Sequence, residues 1–184
     1  MDWASATEIA AAVARGESAL SVTEAAFRRI RTHNKVLNAF TATVEDRALE
    51  KAQAIDTARS KGEKLGPLAG VPFGVKNLFD VKGIPTVAGS KINRSHPKAK
   101  RDATLIERLE AAGAVCVGAL NMGEYAYDFT GENVHDGPSR NPHDPSRMTG
   151  GSSGGSGAAV GGGEVPLSLG SDTNGSIRVP SSFC

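Results

Sequence analysis

Residues 150–178 read GGSSGGSGAAVGGGEVPLSLGSDTNGSIR, and this stretch limits what the chain can be more than any other. Ten of the 22 glycines lie between positions 150 and 175, with small hydroxyl side chains threaded among them. A glycine inside a helix or strand costs roughly 0.5–1 kcal/mol relative to alanine, so such density belongs where backbone must come close to something. A flexible Gly/Ser linker has a similar composition. Here, though, the run is broken by the apolar pieces AAV (158–160) and VPLSL (165–169), and it closes on the charged SDTNGSIR. That pattern marks an ordered, functional loop system.

Composition removes several alternatives. The 184 residues carry a net charge of +1 and are 39% hydrophobic, ordinary values for a soluble globular protein. No apolar run approaches the roughly 18 residues that would suggest a membrane span. The first residues, MDWASATEIAAAVARGE, carry early acidic side chains and an alternating polar pattern, unlike a signal or transit peptide. Cys116 and Cys184 lie far apart, without a C-x-x-C or a nearby histidine cluster. Neither a zinc site nor a disulfide framework is expected, and a reducing cytoplasm fits. Balanced charge and 5% aromatics give no footprint for nucleic acid, and Lys98, Lys100 and Arg101 read as a solvated loop. No metal or other cofactor is expected.

Ser5 and Glu8 form a capping-box pattern ahead of Ile9, Ala12 and Val13, with a stop at Gly16. The same spacing at Ser21 and Glu24 predicts the start of a second helix through Phe27 and Ile30, ending near Asn34. Residues 37–44 alternate as a strand, and 45–61 read as a charged helix ended by Gly62. Residues 66–77 read as a turn leading into a short apolar strand that finishes on Lys76. Asp102 is expected to cap a helix over 103–112, with Gly113 at its end, and 114–119 read as a buried strand. The chain from Thr130 to Met148 reads as loop. A helix is expected to start within 155–163, and 165–170 to form a strand running into Ser171. Helices alternating with buried strands imply an α/β fold, a mixed and mostly parallel sheet with helices on both faces. The chain stops soon after its most informative loop, without a closing element. It is therefore expected to be the N-terminal part of a single longer domain, with helices over 1–62 and a core over 66–184.

Several chemistries meet the glycine-rich stretch and fail. No lysine follows these glycines as a phosphate-binding loop requires, and Val160 stands where a dinucleotide fingerprint needs glycine. The elbow G-x-S-x-G is matched around Ser152 and around Ser153, cheap matches in so glycine-rich a run. Its triad needs a downstream histidine, and His33, His96, His135 and His143 all lie upstream. Ser95 to Lys98 match S-x-x-K, but its companion motifs are missing. The sequons at Asn93 and Asn174 have no secretory context.

GVK at 74–76, GGSSGGS at 150–156 and GSDTNGSIR at 170–178, in that order and at fitting separations, resemble the amidase signature family. The likeness covers residues 66–184, and the N-terminal helices are compatible with it. It implies the amidase signature fold and a Ser–Ser–Lys triad. Position by position, Ser176 is then the nucleophile that carries the acyl group. Ser152, held by a cis peptide bond in this family, is the bridging serine, and Lys76 is the base. A serine hydroxyl is a poor nucleophile until a neighbour takes its proton, and a lysine does so only when burial has made it neutral. Ser152, both donor and acceptor, relays the proton. Backbone N–H groups around Thr173, Asn174 and Gly175 are expected to face the developing oxyanion, with Ser153 and Tyr125 as further substrate-side candidates. Asp172 and Arg178 are expected to form a structural ion pair beside the site.

Two positions depart from the commonest pattern of that family. Asn77 stands where aspartate usually follows the lysine, removing a charge near Lys76. Asn174 stands where glycine is commonest, adding an amide beside the nucleophile, which suggests a small polar substrate. Within the family the chain most resembles the hydrolases of biuret and 1-carboxybiuret from cyanuric acid breakdown. That likeness implies a small urea-like amide as substrate, a homo-oligomer, and a small accessory subunit. Another amidase of the family, including the glutaminase component of a tRNA-dependent amidotransferase, is the alternative. A non-catalytic assembly subunit is the alternative of another class.

Overall fold

The computed structural model describes residues 3–184. Helix α1 (Ala6–Ala14) opens with the expected capping box: Ser5 Oγ accepts the Glu8 N–H, and Glu8 Oε2 accepts the Ser5 N–H at 2.8 Å. Helix α2 (Ala19–Leu37) buries Val22, Ala26, Phe27 and Ile30 along one face. Its start differs from the expectation. Ser18, not Ser21, is the N-cap, and Ser21 lies inside the first turn. The difference comes from helix α3 (Glu45–Ser60), whose Asp56 carboxylate accepts the Ala19 and Leu20 N–H groups and the Ser18 hydroxyl. Those N–H groups, just ahead of the second capping-box pattern at Ser21, find a charged acceptor instead.

Strand β1 (Phe40–Thr43), strand β2 (Pro72–Lys76), strand β3 (Val115–Leu120) and strand β4 (Leu167–Leu169) form one sheet in the order β1-β3-β2-β4. β2 runs parallel to both β3 and β4, and β1 is antiparallel to β3. The sheet is therefore mixed and mostly parallel, as the alternation of helices and strands predicts. Helix α4 (Thr104–Ala111) makes the crossover from β2 to β3. Its N-cap is Ala103, without a side-chain cap, so Asp102 does not play the capping role expected of it. Asp102 instead takes both guanidinium arms of the half-buried Arg47, at 2.8 and 2.6 Å, together with the Lys82 N–H. A bidentate pair with a guanidinium outweighs a single bond from a backbone N–H.

Side chains on β3 alternate between two apolar clusters. Val115 and Val117 join Ile9, Val13, Phe27 and Ile30 of the N-terminal helices. Cys116 joins Phe73 and Val75 of β2 and Ile106 of α4. Each fully buried large side chain contributes roughly 1.5–3 kcal/mol, so the two clusters clamp β2 and β3 between layers. Helix α5 (Gly154–Gly161) crosses this sheet with its first turn against it. A Cβ on Gly155 would press on the backbone of Ala39 and Asn121, so glycine permits the approach. A last helix, α6 (Arg178–Phe183), has no counterpart in the elements expected from the sequence. Pro180 in its first turn is compatible with a helix start. Among the described residues no helix is long and apolar enough to cross a membrane.

Candidate active site

β2, β3 and β4 run parallel, so their carboxyl ends meet at one edge, where α/β sheets place ligands. Lys76 is the last residue of β2 and is 0% exposed. Ser152 and Ser153 lead into α5, both buried, and the Gly151–Ser152 peptide is cis. Residues 170–176 form the loop after β4.

These pieces converge on the Lys76 amine. Its Nζ lies 2.6 Å from Ser152 Oγ and 2.9 Å from Ser171 Oγ. Burial pulls the Lys76 amine down from an ordinary 10.5 to about 8, against the charges of Asp172 and Asp128, which favour the ammonium. A neutral lysine is thus within reach near neutral pH, with a serine hydroxyl already on it. Ser176 is nearly buried at 7% exposure and adjoins this pair through its backbone, its carbonyl accepting the Ser153 N–H at 3.1 Å. Among the described residues the Ser176 hydroxyl makes no hydrogen bond.

Ser153 points elsewhere. Its hydroxyl donates to the Ser171 carbonyl at 3.2 Å and accepts the Ser171 N–H at 3.3 Å, so it fastens the β4 loop to α5. Asp172 and Arg178 form the expected ion pair, bidentate at 3.0 and 2.9 Å. The Arg178 side chain and N–H, with the Gly175 and Ile177 N–H groups, hold the Asp172 carboxylate well below its usual range. Asp172 thereby occupies the Gly175 N–H, at 2.7 Å. The N–H groups of Thr173, Asn174 and Ser176 make no hydrogen bond among the described residues, so this loop has donors to spare for a ligand. The Asn174 side chain is exposed beside them. Tyr125 is 56% exposed, and its hydroxyl donates to Asn93 Oδ1 at 3.3 Å.

Asn77 brings no charge to Lys76, and its side chain is engaged elsewhere. Its amide donates to Thr41 Oγ1 and accepts the Val87 N–H, tying β1 and the 86–88 turn together. The carboxylates that act on Lys76 come from Asp172 and Asp128, far away in sequence. Asp128 lies outside the three motifs, while Ser171 lies inside GSDTNGSIR, where the sequence assigns it no role. Beside the site, a groove of about 370 Å³ runs between α5, β4 and α6, lined by Ser153, Ser156, Leu167, Gly170 and Ile177. Lys76, Ser152 and Ser176 do not line it.

A mixed sheet that carries a buried lysine onto a serine of a GGSSGGS turn, next to a second serine of GSDTNGS, defines the class. The chain belongs to the amidase signature family, and the amidase family model matches residues 21–184. It is 59% identical over 178 residues to AtzE, the 1-carboxybiuret hydrolase subunit of Pseudomonas sp. (strain ADP), covering 96% of this chain and 39% of that protein. It is 49% identical over 181 residues to a glutamyl-tRNA(Gln) amidotransferase subunit from Thermobifida fusca (strain YX), covering 98% and 36%. A solved s-triazine catabolic enzyme from a vestigial protein complex superposes with a TM-score of 0.96 at 57% identity, covering 97% of this chain and 39% of that one. A bacterial aryl acylamidase superposes at 0.93 with 35% identity, covering 98% and 38%. The chain thus spans about two fifths of the length of these relatives.

Proposed function

We propose that the protein is an amidohydrolase that cleaves 1-carboxybiuret or biuret, releasing ammonia in s-triazine breakdown through an acyl-enzyme on Ser176. The observation that carries the chemistry is the 2.6 Å hydrogen bond between the buried Lys76 amine and Ser152. In its neutral form Lys76 takes the Ser152 proton while Ser152 takes that of Ser176, and Ser176 Oγ bonds to the amide carbon. The carbonyl oxygen gains the negative charge and is met by the free N–H groups of Thr173, Asn174 and Ser176. The amine leaves as ammonia with the proton returned through Ser152, and water then repeats the sequence to free the acid. The 59% identity with AtzE, against 49% with the amidotransferase relative, supports the urea-like substrate.

The 184 residues are taken in this reading as part of a larger amidase domain that works with a small accessory protein. The complex described for the s-triazine enzyme and the amidotransferase relationship support that assembly. A reducing cytoplasm suits the two free cysteines, Cys116 and Cys184. The test is ammonia release by the complete polypeptide from 1-carboxybiuret, biuret, allophanate, glutamine and an aliphatic amide, with Ser176→Ala as blank. The expected result is a preference for carboxybiuret or biuret that Ser176→Ala abolishes. Release from glutamine alone would move the protein to the amidotransferase branch. Release from none, with the accessory protein present, would leave a non-catalytic assembly role.

A further inference from the structure

Between Gly123 and Gly151 the backbone leaves a notch, and the Asp128 carboxylate fills it. A Cβ on Gly151 would collide with Asp128 Oδ2, and one on Gly123 would come within 2.5 Å of Asp128 Cβ. Both positions lack side chains where the carboxylate needs room. Inside the notch Asp128 folds residues 128–131 into a turn. Its Oδ1 accepts the Thr130 N–H at 2.9 Å and the Thr130 hydroxyl at 2.7 Å, and its Oδ2 accepts the Gly131 N–H at 2.7 Å. The turn then offers two carbonyls to the backbone ahead of Ser152. Gly151 donates to Phe129 O at 2.8 Å and Gly150 to Thr130 O at 3.1 Å. From the other side Gly123 donates to Ser152 O at 3.0 Å. Ser152 is gripped on both sides by a loop whose shape rests on one carboxylate.

A carboxylate that only shaped a loop would serve anywhere on a surface. Asp128 differs in what its charge faces. The Lys76 amine meets two hydroxyls, Ser152 and Ser171, and lies within the electrostatic reach of two carboxylates, Asp172 and Asp128. Asp172 is paired with Arg178. Asp128 has no cationic partner among the described residues; its acceptors are filled by neutral N–H and O–H groups. We propose that Asp128 is a positioning residue for the Lys76–Ser152 pair, holding the backbone that carries Ser152 and presenting the one unpaired carboxylate to Lys76. This role rests on the amidase reading of Lys76, Ser152 and Ser176. A negative charge near the amine favours the ammonium, so Asp128 also governs how readily the base becomes free.

The test reads nucleophile activation directly, without a substrate. A fluorophosphonate probe bonds phosphorus to Ser176 Oγ and expels fluoride, while the serine proton passes to Lys76 through Ser152. Its labelling rate is followed against pH in the complete polypeptide and in Asp128→Asn and Thr130→Val. Asp128→Asn is expected to label about 10- to 100-fold more slowly at the pH plateau, as misplaced catalytic groups do. Its midpoint should move to lower pH, since the ammonium has lost a favourable charge. Thr130→Val loosens the turn but keeps the charge, so labelling should slow by less and the midpoint should stay. Wild-type labelling with an unchanged rate and midpoint in Asp128→Asn overturns the role of Asp128 alone. No labelling of the wild type at Ser176 overturns the amidase reading and this role with it. If Asp128→Asn does not fold, Thr130→Val decides: slower labelling at an unmoved midpoint supports the grip on Ser152, and a wild-type rate overturns it.

Discussion

The proposed role of Lys76 as base rests on where the residue is held, a place in which an ammonium is costly. Burial takes its amine out of bulk water and gives it two hydroxyls instead, so the proton is released near pH 8 rather than 10.5. If the neutral amine is the base as proposed, kcat/KM of the complete polypeptide should rise as pH climbs through about 8 and level off above it. Lys76→Arg keeps a cation and a donor on the strand but removes a releasable proton, because a guanidinium does not deprotonate in proteins. Ammonia release should fall by at least about a thousandfold, the scale on which losing one member of a Ser–base triad is felt. Retention of more than a tenth of the activity in Lys76→Arg would remove lysine from the role of base. The sequence makes Lys76, Ser152 and Ser176 legible because each sits in a motif with its own glycines. It hides the parts of Asp128, which lies in none of these motifs, and of Ser171, which shares one with Ser176 but has no role of its own there. A serine after a strand and an aspartate in a loop look alike wherever they point, and only the fold brings them to the amine.

The helices show how far local pattern reaches. Two capping-box patterns stand in the first 24 residues, equal on paper, at Ser5 and at Ser21. The first forms, because nothing else competes for those N–H groups. The second is overruled from α3, where Asp56 accepts two N–H groups and a hydroxyl at the start of α2. Asp102 is overruled in the same way by Arg47, and α6 escapes local pattern because its N–H acceptor is Asp172, which precedes it by several residues. The strand expected over 37–44 forms only at Phe40–Thr43 because α2 runs on to Leu37, whereas the central strands β2 and β3 are legible, since a fully buried apolar run needs no partner to be recognised. Caps are not, because their acceptors arrive from elsewhere. Asp56→Ala should therefore cost about 1–2 kcal/mol of stability, as loss of a strong N-cap does, while Ser21→Ala should stay within about 0.5 kcal/mol. Thermal unfolding of both variants measures the contrast. A larger loss from Ser21→Ala would restore the capping box that the sequence pattern suggests.

The whole molecule carries a cost for burying ionisable groups, and pH exposes it. Glu164, between α5 and β4, is fully buried, and neither carboxyl oxygen has a hydrogen-bond partner among the described residues. Burial pushes its carboxyl up from 4.5 to about 8. An acid whose pKa is raised in the folded state binds more protons folded than unfolded between those two values. Stability is then fully present below pH 4.5 and falls as pH rises toward about 8. Lys76 has the opposite sign, since its pKa is lowered from 10.5 to about 8, so the unfolded chain binds the extra proton across that interval. Stability should therefore turn upward above about 8. The recovery is short, because the buried Cys116 and Cys184 thiols are raised from 9.0 to about 12 and about 11, and they lower stability once the unfolded thiols ionise. The carboxylates held low, Asp56 and Asp172 among them, act only in the acid range below these windows. Between pH 5 and 9 the minimum of stability therefore falls near pH 8. The melting temperature of the complete protein should fall between pH 5 and 8 and rise slightly by pH 9. Glu164→Gln keeps the shape but cannot ionise, and it should flatten the fall. A melting temperature equal at pH 5 and 8 in the wild type, or a fall of the same size in Glu164→Gln, would show that Glu164 is not held neutral by the fold.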